Sequence, residues 1–141
     1  MKIQKIQTVE EQAPEKITQA EHAAAIFRAM VGDDIGKKEY FLALTLDSGS
    51  RPIVARVIHI GTLNQSLVHP REVFRDAITD GAAAVIVAHN HPSGNTSPSQ
   101  NDDRVTRRLR EAGELLGIEL LDHLIITPDD GYYSYSEEGG L

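Results

Sequence analysis

The sequence predicts a single α/β (α+β) domain in which a central mixed β-sheet is flanked by helices. Three observations carry that expectation. Helix-period and strand-period apolar patterns alternate along the chain, as they do where helices pack on a sheet. The main extended run is almost continuously apolar at its centre, the mark of a strand buried on both faces. The chain has 141 residues and shows no internal repeat, which suits one well-formed core and no second domain.

Residues 1–17 are polar and aperiodic and are expected to form a flexible or extended arm, with the domain proper over 18–141. Thr18-Gln19-Ala20-Glu21 has the form of a capping box. Ala23, Ile26, Phe27 and Met30 follow as one apolar stripe, and Gly32 is placed to end that helix. Glu39 to Asp47 reads as a doubly buried strand, closed by the turn sequence Asp47-Ser48-Gly49-Ser50. Ile53 to Ile60 is β-branched and is the expected hairpin partner, broken at Gly61. Thr62 to Val68 reads as a short strand or a loop.

His69-Pro70-Arg71-Glu72 opens a second helix with proline in its first turn; Val73, Phe74, Ala77 and Ile78 form its apolar face and Gly81 stops it. Ala83 to His89 is the next strand. Ser99 occupies an N-cap position before a long amphipathic helix marked by Val105, Leu109, Ala112 and Leu116 and ended by Gly117. Ile118 to Thr127 is an apolar strand interrupted by Asp122-His123. Pro128-Asp129-Asp130-Gly131 is turn sequence, returning Tyr132 to Ser136 as a hairpin partner.

Composition narrows the chemistry. There is no cysteine, which excludes disulfides and thiolate-bound zinc, so any metal must be held by His, Asp or Glu. No apolar run approaches the roughly 20 residues that span a bilayer. Met1-Lys2-Ile3-Gln4-Lys5 leads into Glu/Gln-rich sequence rather than a signal peptide's apolar core, so a cytoplasmic location is expected. The net charge of −7 argues against direct DNA binding, which needs a basic surface. Arg104, Arg107, Arg108 and Arg110 are a local exception, expected as a solvated helix face.

The chemically loaded stretch is Ala88-His89-Asn90-His91-Pro92-Ser93-Gly94. Histidines one residue apart on an extended backbone project to one side, and a carboxylate from the start of the next helix would complete a metal site. Asp102 and Asp103 both qualify by position. Ser99-x-x-Asp102 is equally explained as a helix cap with an acid favoured by the helix dipole. His69 and His123 are expected either to orient a ligand or, more simply, to be satisfied structural residues. Asn90 should point away from its histidine neighbours and hold the loop by backbone hydrogen bonds, with Pro92 and Gly94 shaping the turn. His22 and His59 have no assigned role.

His89-x-His91-Pro92, then Ser99-x-x-Asp102 with Asp102 eleven positions after His91, resembles the JAMM metalloprotease motif of JAB/MPN domains. The wider context is similar to the RadC-like branch: Gly61-Thr62-Leu63-Asn64, Ser66-Leu67-Val68-His69-Pro70-Arg71-Glu72-Val73-Phe74, Ala88 to Gly94 and Leu121-Asp122-His123 all resemble it, over roughly residues 31 to 138. The resemblance implies the JAB/MPN (cytidine-deaminase-like) fold and a stand-alone JAB domain without the N-terminal helix-hairpin-helix region. It implies Zn2+ bound by His89, His91 and Asp102 with an activated water, and Ser99 as an oxyanion donor. It also requires an acid/base glutamate near the start of an early strand, for which Glu39 is the candidate and Glu72 the reserve.

The expected activity is that of a zinc-dependent metallopeptidase or isopeptidase acting on a peptide or protein. The alternatives are a non-catalytic, metal-stabilised interaction module and a DNA-repair-associated RadC-like protein without peptidase activity. A nucleobase deaminase is excluded, because its site needs a Pro-Cys-x-x-Cys segment.

Overall fold

The computed structural model describes residues 3–4, 15–61 and 68–141. In chain order the elements are β1 (Ile3–Gln4), α1 (Ala20–Val31), a 3-10 turn (Gly32–Gly36), β2 (Tyr40–Leu46), β3 (Pro52–Ile60), α2 (Pro70–Asp80), β4 (Ala84–Asn90), α3 (Gln100–Leu116), β5 (Glu119–Ile126) and β6 (Tyr132–Ser134). The strands form one mixed sheet in the order β1-β3-β2-β4-β5-β6. β4 and β5 run parallel, joined by α3, and the remaining neighbours are antiparallel. This is the mixed sheet with flanking helices that the alternating patterns predict.

Strand alternation sorts the core onto two faces. Leu42, Leu44, Leu46, Ala84, Ile86 and Ala88 pack with Phe27 and Ile26 of α1. Phe41, Ala43, Val85 and Val87 pack on the other face with Val73, Phe74 and Ala77 of α2 and Val105 and Leu109 of α3. The odd-numbered series of β4 continues to His89 and His91 on the α2/α3 face; the even-numbered series ends at Asn90 on the α1 face. The histidines therefore leave the sheet at the C-terminal end of a parallel strand, directly before the helix that follows it. Such crevices are where open α/β sheets bind ligands.

Several expectations are corrected. The first helix is not capped by Thr18: its N-cap is Gln19, with no side-chain cap bond. Glu21 is then one residue short of the position a capping box needs. His22 stands there instead, and its Nδ1 accepts the Thr18 N–H at 3.2 Å. Ile78 and Leu116 are 58% and 49% exposed, because each lies in the last turn, past the final residue its helix buries. Asp122-His123 does not interrupt β5; both are buried within it. Of the expected arm, Ile3 and Gln4 pair with β3, and residues 5–14 lie outside the described residues, as do 62–67 of the segment read as a short strand or loop. No helix among the described residues is long and apolar enough to cross a membrane.

Candidate metal centre

Two elements bring the ligand-type side chains together. β4 ends at Asn90, and His91 N–H still donates to Ile126 O of β5 at 3.0 Å, so His91 keeps strand geometry. A turn closes at once, with Gly94 N–H donating to His91 O, proline in its second position and Gly94 at φ 92°. Ser99 caps α3 by a true capping box. Its hydroxyl accepts from Asp102 N–H at 3.0 Å, and its own N–H donates to Asp102 Oδ2 at 2.9 Å. The cap thus fixes the Asp102 carboxylate as well as the helix end.

That carboxylate faces both histidines. His89 Nε2 lies 3.2 Å from Asp102 Oδ1, His91 Nε2 lies 3.4 Å from Asp102 Oδ2, and the two Nε2 atoms are 3.0 Å apart. Ligand atoms of His89, His91 and Asp102 all lie within 4.8 Å of one another. His89 and Asp102 are buried and His91 is half-buried. Asp103, the other carboxylate that position alone allowed, instead accepts the Tyr135 hydroxyl proton at 2.7 Å.

The donor set fits a first-row divalent ion. His91 Nδ1 lies 2.6 Å from the Asn95 carbonyl oxygen, which can only accept. The ring proton of neutral His91 is therefore on Nδ1, and Nε2 offers a lone pair to the centre. Charge points the same way. Burial pushes the Asp102 carboxyl up, but the Ser99 N–H and, when they carry a proton on Nε2, His89 and His91 outweigh it and hold it well below the usual carboxylate range. The His91 imidazole is pulled the other way: the Asp102 hydrogen bond raises its pKa, with the Asn95 carbonyl and the Glu39 charge acting in the same sense against burial, so an ion must displace an Nε2 proton to bind there.

Around this triad sit residues of unequal legibility. Glu39 immediately precedes β2, whose Phe41 pairs with His89; the antiparallel register places Glu39 opposite His91, on the face of both histidines. It shares a groove of about 480 Å³ with Lys37, Lys38, Gly61 and Pro92. Glu72 stands in the first turn of α2. His123 is fully buried, with Nε2 2.9 Å from His89 Nδ1 and Nδ1 2.6 Å from the Thr106 hydroxyl oxygen. Its burial pushes the imidazole well below its ordinary pKa.

Thr106 is the neighbour that sequence reasoning misses, although its position four residues after Asp102 puts both on one helix face. Asn90 points away from the histidines as expected but holds a different segment. Its Nδ2 donates to Ile35 O and Lys38 O, and its Oδ1 accepts Tyr40 N–H. Arg104, Arg107, Arg108 and Arg110 are exposed along α3.

Comparison with known proteins agrees with this architecture. A model of the RadC-like JAB domain matches residues 17–141, so α1 falls inside a match that the motifs alone placed over residues 31 to 138. A UPF0758 protein of Methanospirillum hungatei is 58% identical over 113 residues, 79% of this chain and 49% of that protein. Others from Pelobacter propionicus and Methanosarcina mazei are 54% and 52% identical, over 74% and 73% of this chain and 45% and 44% of theirs. The chain spans about half the length of the curated relatives it matches. On the family match across nearly the whole described domain, the chain belongs to the RadC-like JAB domain family.

Proposed function

We propose that the domain is a zinc-dependent hydrolase of the JAMM type, cleaving an amide or isopeptide bond in a peptide or protein. One observation carries this reading: His89 Nε2, His91 Nε2 and the Asp102 carboxylate converge at a strand end, with Glu39 opposite His91 across the β2–β4 pair. His89, His91 and Asp102 would hold the ion, three protein ligands being the number that catalytic zinc sites use. A zinc ion there supplies an acidified water and polarises a substrate carbonyl.

The chain's own groups do the remaining work. Glu39 takes the proton of the attacking water and returns it to the leaving nitrogen, acting as base and then as acid. Ser99 already accepts the Asp102 N–H, and its hydroxyl keeps a proton to donate to the oxyanion that develops on the scissile carbonyl. The groove beside Glu39 accommodates the extended chain on one side of the bond. A cytoplasmic peptide or protein is the substrate class we assign.

Metal analysis of the purified protein, paired with a screen of peptide and isopeptide substrates, tests the reading. Glu39→Gln is expected to keep bound zinc and lose turnover by roughly 100-fold or more. Full activity in that variant removes Glu39 from the mechanism, and a wild-type protein with no affinity for zinc removes the hydrolase reading altogether.

A further inference from the structure

His123 and Thr106 form a hydrogen-bonded chain that starts at one candidate ligand and ends on the backbone of another. His89 Nδ1 meets His123 Nε2 at 2.9 Å, His123 Nδ1 meets Thr106 Oγ1 at 2.6 Å, and Thr106 Oγ1 meets Asp102 O at 2.8 Å. All four residues are buried, His123 and His89 to within 1%. Tyr135 stacks on the His123 ring with centroids 5.0 Å apart, and Phe41 packs edge-on against it, so the ring cannot turn to seek other partners.

Counting protons fixes the direction of the chain. The Asp102 carbonyl oxygen has no proton and can only accept. Thr106 has a single hydroxyl proton, and with that proton donated to Asp102 O its oxygen can only accept from His123 Nδ1–H. A neutral His123 with its proton on Nδ1 has a bare Nε2, which accepts from His89 Nδ1–H. His89 then has its lone pair on Nε2, the atom that faces His91 and Asp102. The reverse direction puts a proton on His89 Nε2, between the three ligand groups, and blocks that position.

We propose that His123 and Thr106 are positioning residues that hold His89 in the Nδ1–H tautomer and so keep Nε2 free to ligate. Neither touches the centre itself. Because the chain closes on Asp102 O, the helix turn that presents the third ligand also sets the tautomer of the first. The inference rests on the metal reading of His89, His91 and Asp102; it does not require peptidase activity.

Thr106→Val keeps the side-chain shape and removes the acceptor for His123 Nδ1–H, whereas Thr106→Ser keeps the hydroxyl. Zinc affinity, measured by titration against a chromophoric chelator, is expected to fall roughly 10- to 100-fold in Thr106→Val, the range for loss of such outer partners, and to be restored in Thr106→Ser. Long-range 1H–15N correlation spectra of the zinc-loaded wild-type protein are expected to show His123 protonated at Nδ1 and His89 at Nδ1. A His123 proton on Nε2 in that spectrum overturns the proposal even if the valine variant fails to fold. Wild-type zinc affinity with unchanged tautomers in Thr106→Val overturns it too. A wild-type protein that binds no zinc instead overturns the metal reading on which it stands.

Discussion

Asn90 shows how one side chain can serve a site it does not line. It sits between His89 and His91, so strand alternation sends it to the opposite face of the sheet. There it is fully buried and uses both ends of its amide, bonding Ile35 O, Lys38 O and Tyr40 N. Lys38 and Tyr40 flank Glu39, so the residue between the histidines also fixes the backbone of the proposed acid/base. Asn90→Ala leaves those three backbone groups without their partner, and one to several such losses cost about 1–3 kcal/mol each. The variant is expected to be destabilised by at least about 2 kcal/mol in urea denaturation and to lose kcat more than zinc affinity. Asn90→Asp should be worse, since a carboxylate would face two carbonyl oxygens. Equal stability in both variants would refute this account of the clamp.

At the scale of elements, the register of β5 decides which polar residue reaches the site. Leu120 pairs with Val85 but Asp122 pairs with Ile86, so Leu121 is an extra residue on β5. Such a bulge flips the alternation that follows it. Without it, Asp122 would share the Leu120 face; with it, His123 does, and meets His89 and Thr106. Asp122 turns the other way, accepting from Ser134 Oγ and from His123 and Ser136 N–H. In sequence the pair reads only as a break in an apolar run, because a bulge exists in a pairing and not in one strand.

The same limit separates what the sequence shows from what it hides elsewhere. The β4 histidines, the Ser99 cap and the turn glycines are local signals of spacing and residue type, and they were legible. The Thr106–His123 contact and the Asn90 clamp join residues far apart in the chain and depend on register. Glu39 lies between: its place at a strand start is local, but its position opposite His91 is not.

One long-range pair also seats α2. Arg56 of β3 is buried and bonds both oxygens of Asp80 at 2.7 Å, while Thr45 donates to Asp80 Oδ2. Burial pushes the Asp80 carboxyl up, but the Arg56 and Thr45 hydrogen bonds outweigh it, so its pKa falls below the ordinary value. A carboxylate whose pKa is lowered on folding contributes its full stability above the unfolded value, near 3.9, and loses it as pH falls through the folded one. Asp80→Asn leaves Arg56, among the described residues, with Asp76 at 3.7 Å as its remaining carboxylate, and is expected to cost about 3 kcal/mol at pH 7. The gap between variant and wild type should narrow below about pH 4. A gap that stays constant from pH 7 to pH 3 would show that packing, not the ion pair, seats the helix.

For the whole molecule, the candidate centre sits at one end of the sheet, where His89 of β4 stacks on Phe41 of the α2/α3-side core. The α1-side cluster and the α2/α3-side cluster are built from apolar side chains, and the ligands come from β4, its following turn and the first turn of α3. A bound ion therefore ties the His91–Ser99 loop and the start of α3 to the sheet, and little else. Zinc at about 100 times its dissociation constant adds about 2.7 kcal/mol by mass action. At roughly 2–4 °C per kcal/mol for a domain of this size, chelation should lower Tm by about 5–10 °C. Far-UV circular dichroism should hold its shape, because the strands and helices do not depend on the ion. Amide hydrogen exchange should speed up at residues 91–103 and stay slow in β2, β4 and β5. General exposure of the sheet amides on chelation would mean that the ion organises the fold, making the centre structural and weakening the case for an open, catalytic site.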